Sequence, residues 1–186
     1  MLTLRNYFNI LYYQTYNTIY IKINLQHIKK VVTFFKLHSN LLFTQLTDLS
    51  FIDYLERKFR FELFYNVLSI KYNQRVIISG FLGENTTIDS ITNIYLNSNW
   101  YEREVWDMLG IYFNLHPDFR RILTDYGFKG HPLRKDFPMT GFIEVRYDAM
   151  LKRIIYEALS LTQEFRVFIL ENSWEKSNFN LIKNND

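Results

Sequence analysis

FRFELFYNVLSIKYNQRVIISGF, residues 59–81, reads as two strands and a turn. Phe59–Leu68 and Gln74–Phe81 are rich in aromatic and β-branched residues, the types that fit a pleated, half-buried surface. Lys71-Tyr72-Asn73 between them supplies the polar tip of a hairpin. Working outward, Thr18–Asn24 (TIYIKIN) alternates Ile19, Ile21 and Ile23 with Tyr20 and Lys22, a third strand. Gln26–Lys36 then places Ile28, Val31, Val32 and Phe35 at helical spacing. Leu41–Leu46 suggests a further strand, closed by the turn-formers Asp48 and Ser50. The order is β-α-β followed by a meander, which makes the fold class α+β. The first domain is expected to span residues 1–98.

Composition narrows the chemistry. The 186 residues contain no cysteine, which removes disulfides, thiolate metal sites and cysteine nucleophiles of the chain's own. Phe and Tyr number 17 and 14, while Ala149 and Ala158 are the sole alanines. Phe, Tyr, Ile, Asn and Lys have AT-rich codons, so this bias is read as the imprint of an AT-rich genome rather than as a binding surface. Charge is uneven: Arg5, Lys22, Lys29, Lys30 and Lys36 precede the first acid, Asp48. A basic leading portion can face RNA, anionic lipid or an acidic partner, but no dense cluster forms beyond Lys29-Lys30. Asn6–Ile21 is interrupted by Asn9, Gln14, Thr15, Asn17 and Thr18, so it does not read as a membrane span. The first charge after Arg5 is Lys22 and the first serine is Ser39, unlike an import peptide. If the chain works in an organelle, it is expected to be made there.

Beyond residue 98 the chain changes character. Trp100–Gly110 (WYEREVWDMLG) reads as a helix with a Tyr101, Val105, Met108 and Tyr112 stripe. Arg103 and Asp107 are spaced to pair on its surface, and Gly110 is placed to end it. Gly110, Gly127, Gly130 and Gly141, with Pro117, Pro132 and Pro138, punctuate the next stretch. An irregular path of this kind is stable when packed against something. Phe142–Asp148 alternates like a strand. Met150–Leu161 has a helical repeat in Leu151, Ile154, Ile155, Ala158 and Leu159. Residues 99–172 thus form a signature helix and an extended interaction segment, and 173–186 a polar tail.

Acid–base chemistry by Glu102, Glu104 and Asp107 has no visible support. A metal reading would use His116, Asp118, His131 and Asp136, but compact ligand spacings are missing. Both histidines precede proline, which favours an extended backbone and a side chain bonding across a turn. No phosphate-cradling glycine loop or nucleophile elbow occurs.

Glu102-Arg103-Glu104, Asp107-Met108 and Gly110 resemble the signature of one family. So do His116-Pro117-Asp118, Arg120-Arg121-Ile122-Leu123, Asp125-Tyr126-Gly127-Phe128 and Gly130-His131-Pro132-Leu133-Arg134-Lys135-Asp136-Phe137-Pro138. The family is subunit 9 of respiratory complex I, its thirty-kilodalton NADH dehydrogenase subunit, together with the bacterial counterparts. The likeness continues loosely through Gly141–Asp148 and Gln163–Phe168. It departs at Lys129, where an acidic or neutral residue is expected, and at Ala158, where a proline is frequent. That proline would favour a strand over the helix that periodicity suggests at 150–161.

The resemblance implies a non-catalytic structural subunit of the hydrophilic arm of mitochondrial NADH:ubiquinone oxidoreductase. It implies a peripheral place on the matrix side of the inner membrane, and no flavin or iron–sulfur cluster bound by this chain; FMN and the clusters belong to neighbouring subunits. The implied partners are other hydrophilic-arm subunits, especially the large quinone-site subunit. Arg120, Arg121, Arg134 and Lys135 are then expected to meet carboxylates on that partner. No nucleic acid and no transmembrane segment are expected. The alternatives are an organellar RNA-binding or ribosomal protein and a small metal-dependent hydrolase.

Overall fold

The computed structural model of the chain describes residues 11–15, 18–166 and 168. The leading Arg5 and the 173–186 tail lie outside these residues. The chain divides into two compact units, 1–139 and 140–186. The first therefore includes the signature helix and the Gly/Pro-rich stretch, where sequence alone drew a boundary near residue 98.

The first unit is built on one five-stranded sheet. Its strands are β1 (Leu11–Thr15), β2 (Thr18–Lys22), β3 (Gln45–Asp53), β4 (Phe61–Ser69) and β5 (Gln74–Leu82). Their order in space is β1-β2-β5-β4-β3, with β2 and β5 parallel and the other pairs antiparallel. The predicted hairpin is β4–β5, closed by the pair Ser69–Gln74, with Asn73 in the left-handed region at φ 49°. A one-turn 3₁₀ segment, Leu25–His27, leads into helix α1 (Ile28–Leu37).

Strand β3 differs from its sequence reading. Asp48 and Ser50 lie inside it, not at a turn beyond it. The register of β3 on β4 shifts between Leu46 and Asp48, and this bulge keeps Leu46 and Leu49 on the core face. Because β3 is an edge strand, Asp48 can accept hydrogen bonds from its neighbours, Leu49 N at 2.8 Å and the Ser50 hydroxyl.

One face of the sheet forms the core. Val76 and Ile78 of β5 meet Phe61, Leu63, Tyr65 and Val67 of β4, flanked by Ile21 and Leu49. Helix α1 adds Ile28, Val31, Val32 and Phe35, as its periodicity predicts. Helix α2 (Ser98–Leu109) adds Val105 and Leu109. Gly80 lets β5 come close to the chain leaving β2: a Cβ there would sit 2.5 Å from Leu25 Cγ and 2.6 Å from Ile23 O. Two short parallel strands, β6 (Ile88–Asp89) and β7 (Phe113–Asn114), bracket α2.

The second unit contains an antiparallel hairpin, β8 (Ile143–Asp148) and β9 (Arg153–Ala158). Of the helix and strand readings open at 150–161, the strand is the one found. Asp148 accepts the amides of Met150 (2.8 Å) and Leu151 (3.1 Å), and Lys152 adopts φ 52°, which turns the chain back on itself. Ile154, Tyr156 and Ala158 satisfy a period of two as well as their neighbours satisfy a helical one, and β-branching favours the strand.

Candidate functional site

Helix α2 is sunk in the protein rather than laid on its surface. Glu102, Arg103, Val105, Asp107, Met108 and Leu109 are all buried, while Tyr112 lies beyond the helix and is half exposed. Its start is held by Asn97 Nδ2 donating to Leu46 O (2.6 Å) and the Tyr101 hydroxyl donating to Thr47 O (2.9 Å). Residues 116–137 then cover its outer side.

Asp107 is the centre of that cover. Its carboxylate does not pair with Arg103, as spacing suggested, but accepts the amides of Ile122 (3.2 Å), Leu123 (2.8 Å) and Thr124 (2.9 Å). The Thr124 hydroxyl and Arg121 Nη1 (2.9 Å) complete the set. Burial pushes this acid up, yet the hydrogen bonds from Thr124, Leu123 and Ile122 outweigh it and bring the pKa down to about 2. Arg103 turns the other way, donating from Nε to Arg120 O (3.0 Å) and lying over the Trp100 ring. Glu104 is half-buried.

The end of α2 is capped from a distance. Gly110 takes φ 79°, the left-handed cap. Asp107 O meets His131 Nδ1 (3.0 Å), Met108 O accepts Leu133 N (3.2 Å), and Leu109 O accepts Arg134 Nε (2.5 Å). These are carbonyls a helix leaves unpaired, and Arg134 adds a cation at the negative end of the dipole. A Cβ on Gly110 would lie 2.5 Å from His131 Nε2 and 2.6 Å from Arg134 Nη2.

The last part of this cover, a strap over α2, docks on a charge cluster at one end of the sheet. Arg60 forks onto Asp53 through Nε (2.7 Å) and Nη2 (2.8 Å), and its Nη1 reaches Glu84 (2.8 Å) and Asp136 (3.0 Å). Asp53 also accepts Lys135 N at 2.8 Å. Arg60 holds both Asp53 and Asp136 below the usual carboxylate range. Asp53, Arg60 and Glu84 were missed by sequence reasoning; they come together only through sheet register and carry no local signal.

Of the cations expected at a partner surface, several already have bonds within the chain. Arg121 and Arg134 are engaged within their own unit, and the backbone of Lys135 is too. Arg120 is 69% exposed in its side chain and pairs with Asp118 (3.0 Å). His116 accepts Asp118 N at Nδ1 (3.2 Å), bonding across a turn, and its Nε2 faces Asn99 O at 3.3 Å. Gly130 (φ 101°) admits the ring of Phe137, which packs with Phe128 at 5.9 Å. Pro132 and Pro138 are half-buried, whereas Pro117 and Gly127 are exposed. Among the described residues, no group of three or more His, Asp or Glu side chains could hold a metal ion.

The second unit presents a different surface. No described residue from 140 to 168 is buried. Register places Ile143, Val145 and Tyr147 opposite Ala158, Tyr156 and Ile154, so one face of the hairpin is wholly apolar. Its residues are more than half exposed; Val145 is 58% and Tyr156 61%. The other face carries Glu144, Arg146, Asp148, Arg153, Ile155 and Glu157, with Arg146 forked onto Glu157 at 2.8 Å. An isolated two-stranded hairpin is marginal in water, and an apolar face this continuous marks an interaction site.

Comparison with known proteins agrees with the sequence motifs. Residues 21–143 match the family described as respiratory-chain NADH dehydrogenase, 30 Kd subunit. NADH-ubiquinone oxidoreductase subunit 9 of Reclinomonas americana is 52% identical over 141 residues, covering 76% of this chain and 69% of that protein. A subunit of the NADH-quinone oxidoreductase of Paramagnetospirillum magneticum is 51% identical, covering 80% and 74%. NADH dehydrogenase [ubiquinone] iron-sulfur protein 3 of Beta trigyna is 48% identical, covering 84% and 82%. A chain in the structure of the membrane-bound sulfane sulfur reductase, an archaeal respiratory membrane complex, shares the fold. Its TM-score is 0.61 at 19% identity, over 70% of this chain and 78% of that one.

Proposed function

This chain belongs to the family of the respiratory-chain NADH dehydrogenase 30 Kd subunit, and from that membership we infer that it is a structural, non-catalytic subunit of NADH:ubiquinone oxidoreductase, complex I. Electron transfer from NADH to ubiquinone belongs to the assembly. The chain's part is to hold a rigid body in place, and the RNA-binding alternative is not favoured by any of the matches.

The observation that carries this reading is the apolar face of β8–β9, which is exposed and needs a partner to cover it. We propose that the partner is another subunit of the hydrophilic arm, foremost the large quinone-site subunit. Burying such a face in an assembly supplies the hydrophobic term that the hairpin lacks alone. The first unit offers the complementary property: its buried ion pairs and capped helix fix the geometry from which the hairpin departs in sequence.

We further propose a peripheral position on the matrix side of the mitochondrial inner membrane, and synthesis from the organelle's own genome. The relatives named as NADH-ubiquinone oxidoreductase subunits support the first, and the AT-biased composition supports the second. Among the described residues no helix is long and apolar enough to cross a membrane. FMN and the iron–sulfur clusters are proposed to sit in neighbouring subunits; for the clusters, the support is that these 186 residues supply no cysteine thiolate.

The test is purification under mild detergent through a tag on this chain. The hydrophilic-arm subunits should copurify with NADH:ubiquinone oxidoreductase activity. Recovery of the chain only as a free monomer overturns the reading.

A further inference from the structure

Glu102 sits on the sheet-facing side of α2 with its side chain fully buried. Its Oε1 accepts the amide of Ile91 at 2.9 Å, but its Oε2 has no hydrogen-bond partner. The hydroxyl of Tyr65, on β4, is equally buried and equally without a partner. The nearest group able to carry a positive charge is His116, whose Nε2 is 3.9 Å from Glu102 Oε2.

The imidazole is not set up as a counter-ion. Its Nδ1 accepts the amide of Asp118, so Nδ1 carries no hydrogen and the hydrogen is on Nε2, directed at Asn99 O. A second proton would have to enter at Nδ1 and break the Asp118 bond. Burial also holds the His116 pKa down, with Arg103 opposing its protonation and Asp118 favouring it. Arg103, next to Glu102 along α2, directs its guanidinium to Arg120 O. From the loop after β6 the Ser90 hydroxyl and Ile91 amide, and from α2 the Ser98 hydroxyl, are neutral donors that favour the ionised form, but less than burial disfavours it. An ionised Glu102 would be a buried charge with no cation to meet it.

We propose that Glu102 is a buried proton-binding site, carried in the folded chain below neutral pH as the neutral acid with its hydrogen on Oε2. Protonation turns an unpaired acceptor into a donor, and the Tyr65 hydroxyl is near enough to feel the charge on Glu102. Burial raises the Glu102 pKa from its ordinary 4.5 to about 7. The folded chain therefore keeps this proton after the unfolded chain has lost it. Stability from this site is fully present below pH 4.5, falls as pH rises towards 7 and is level above.

The experiment compares urea unfolding of the full chain, wild type and Glu102→Gln, from pH 5 to pH 8 at constant ionic strength. The unfolding constant of the wild type relative to the variant should rise about seventyfold over that range. A ratio that does not change with pH overturns the proposal. If Glu102→Gln does not fold, carbon-13 labelling of the glutamate carboxyls in the wild type decides the matter. One carboxyl should titrate near neutrality; titration of every one in the ordinary glutamate range overturns the proposal.

Discussion

Residues 110–139 and 140–168 read, as sequence, as parts of one extended interaction segment, yet they use their charges in opposite ways. In the first, Arg121, Arg134 and Asp136 are consumed in bonds to Asp107, Leu109 O and Arg60 within one compact unit. In the second, Arg146 and Glu157 pair on an open hairpin while the apolar side chains stay exposed. The strap completes a fold; the hairpin leaves an apolar face open. Charged residues on the irregular path are thus used within the unit, while the large exposed apolar face lies on the hairpin.

The sharpest test of that contrast is Asp107→Ala. It leaves Arg121 and three strap amides facing an empty position. The full chain should lose about 3–5 kcal/mol of stability in denaturant unfolding, because one member of a buried charged network has been removed. A loss under about 1 kcal/mol would mean the strap is as loosely held as the hairpin.

Gly110→Val comes next. It combines an unfavourable left-handed conformation with a Cβ driven into His131 and Arg134. A cost of about 2–4 kcal/mol is expected, read as a fall in Tm.

Acid titration gives a somewhat smaller effect. The Asp107 pKa is depressed from 3.8 to about 2, so its contribution is present above pH 4 and lost as pH falls to 2. That contribution is about 2 kcal/mol. Asp107→Asn should flatten the acid limb of the stability profile between those values.

The smallest effect on stability belongs to Val145→Asp, in the middle of the exposed apolar face. Unfolding of the first unit should shift by no more than about 0.5 kcal/mol. Copurification of hydrophilic-arm subunits should nevertheless drop. Undiminished copurification would remove the hairpin from the interface.

Much of the sheet was legible because its pattern is local. Ile19, Ile21 and Ile23 announce β2, and Ile28, Val31, Val32 and Phe35 announce α1. The failures share a physical form. Asp48 and Ser50 look like turn residues, but an edge strand tolerates side chains that bond their own backbone. At 153–158 two periods coincide, and only the pairing with 143–148 separates them. Arg103 and Asp107 have ideal helical spacing, yet three backbone amides and a hydroxyl make a better partner than an arginine one turn away. Arg60 with Asp53, Glu84 and Asp136 could not be read at all, since its partners are joined by sheet register and a distant loop.

The strap is pinned at His116, at 121–124, at 131–134 and at 135–136. Each pin leaves only a few residues of free chain before the next, so the entropy of closing one long loop is divided into short instalments. Releasing one pin frees one short arc and not the whole crossing. Amide exchange along 116–136 should then proceed arc by arc, each at its own opening free energy. The strap behaves less like a lid on one hinge than like a zip with several teeth.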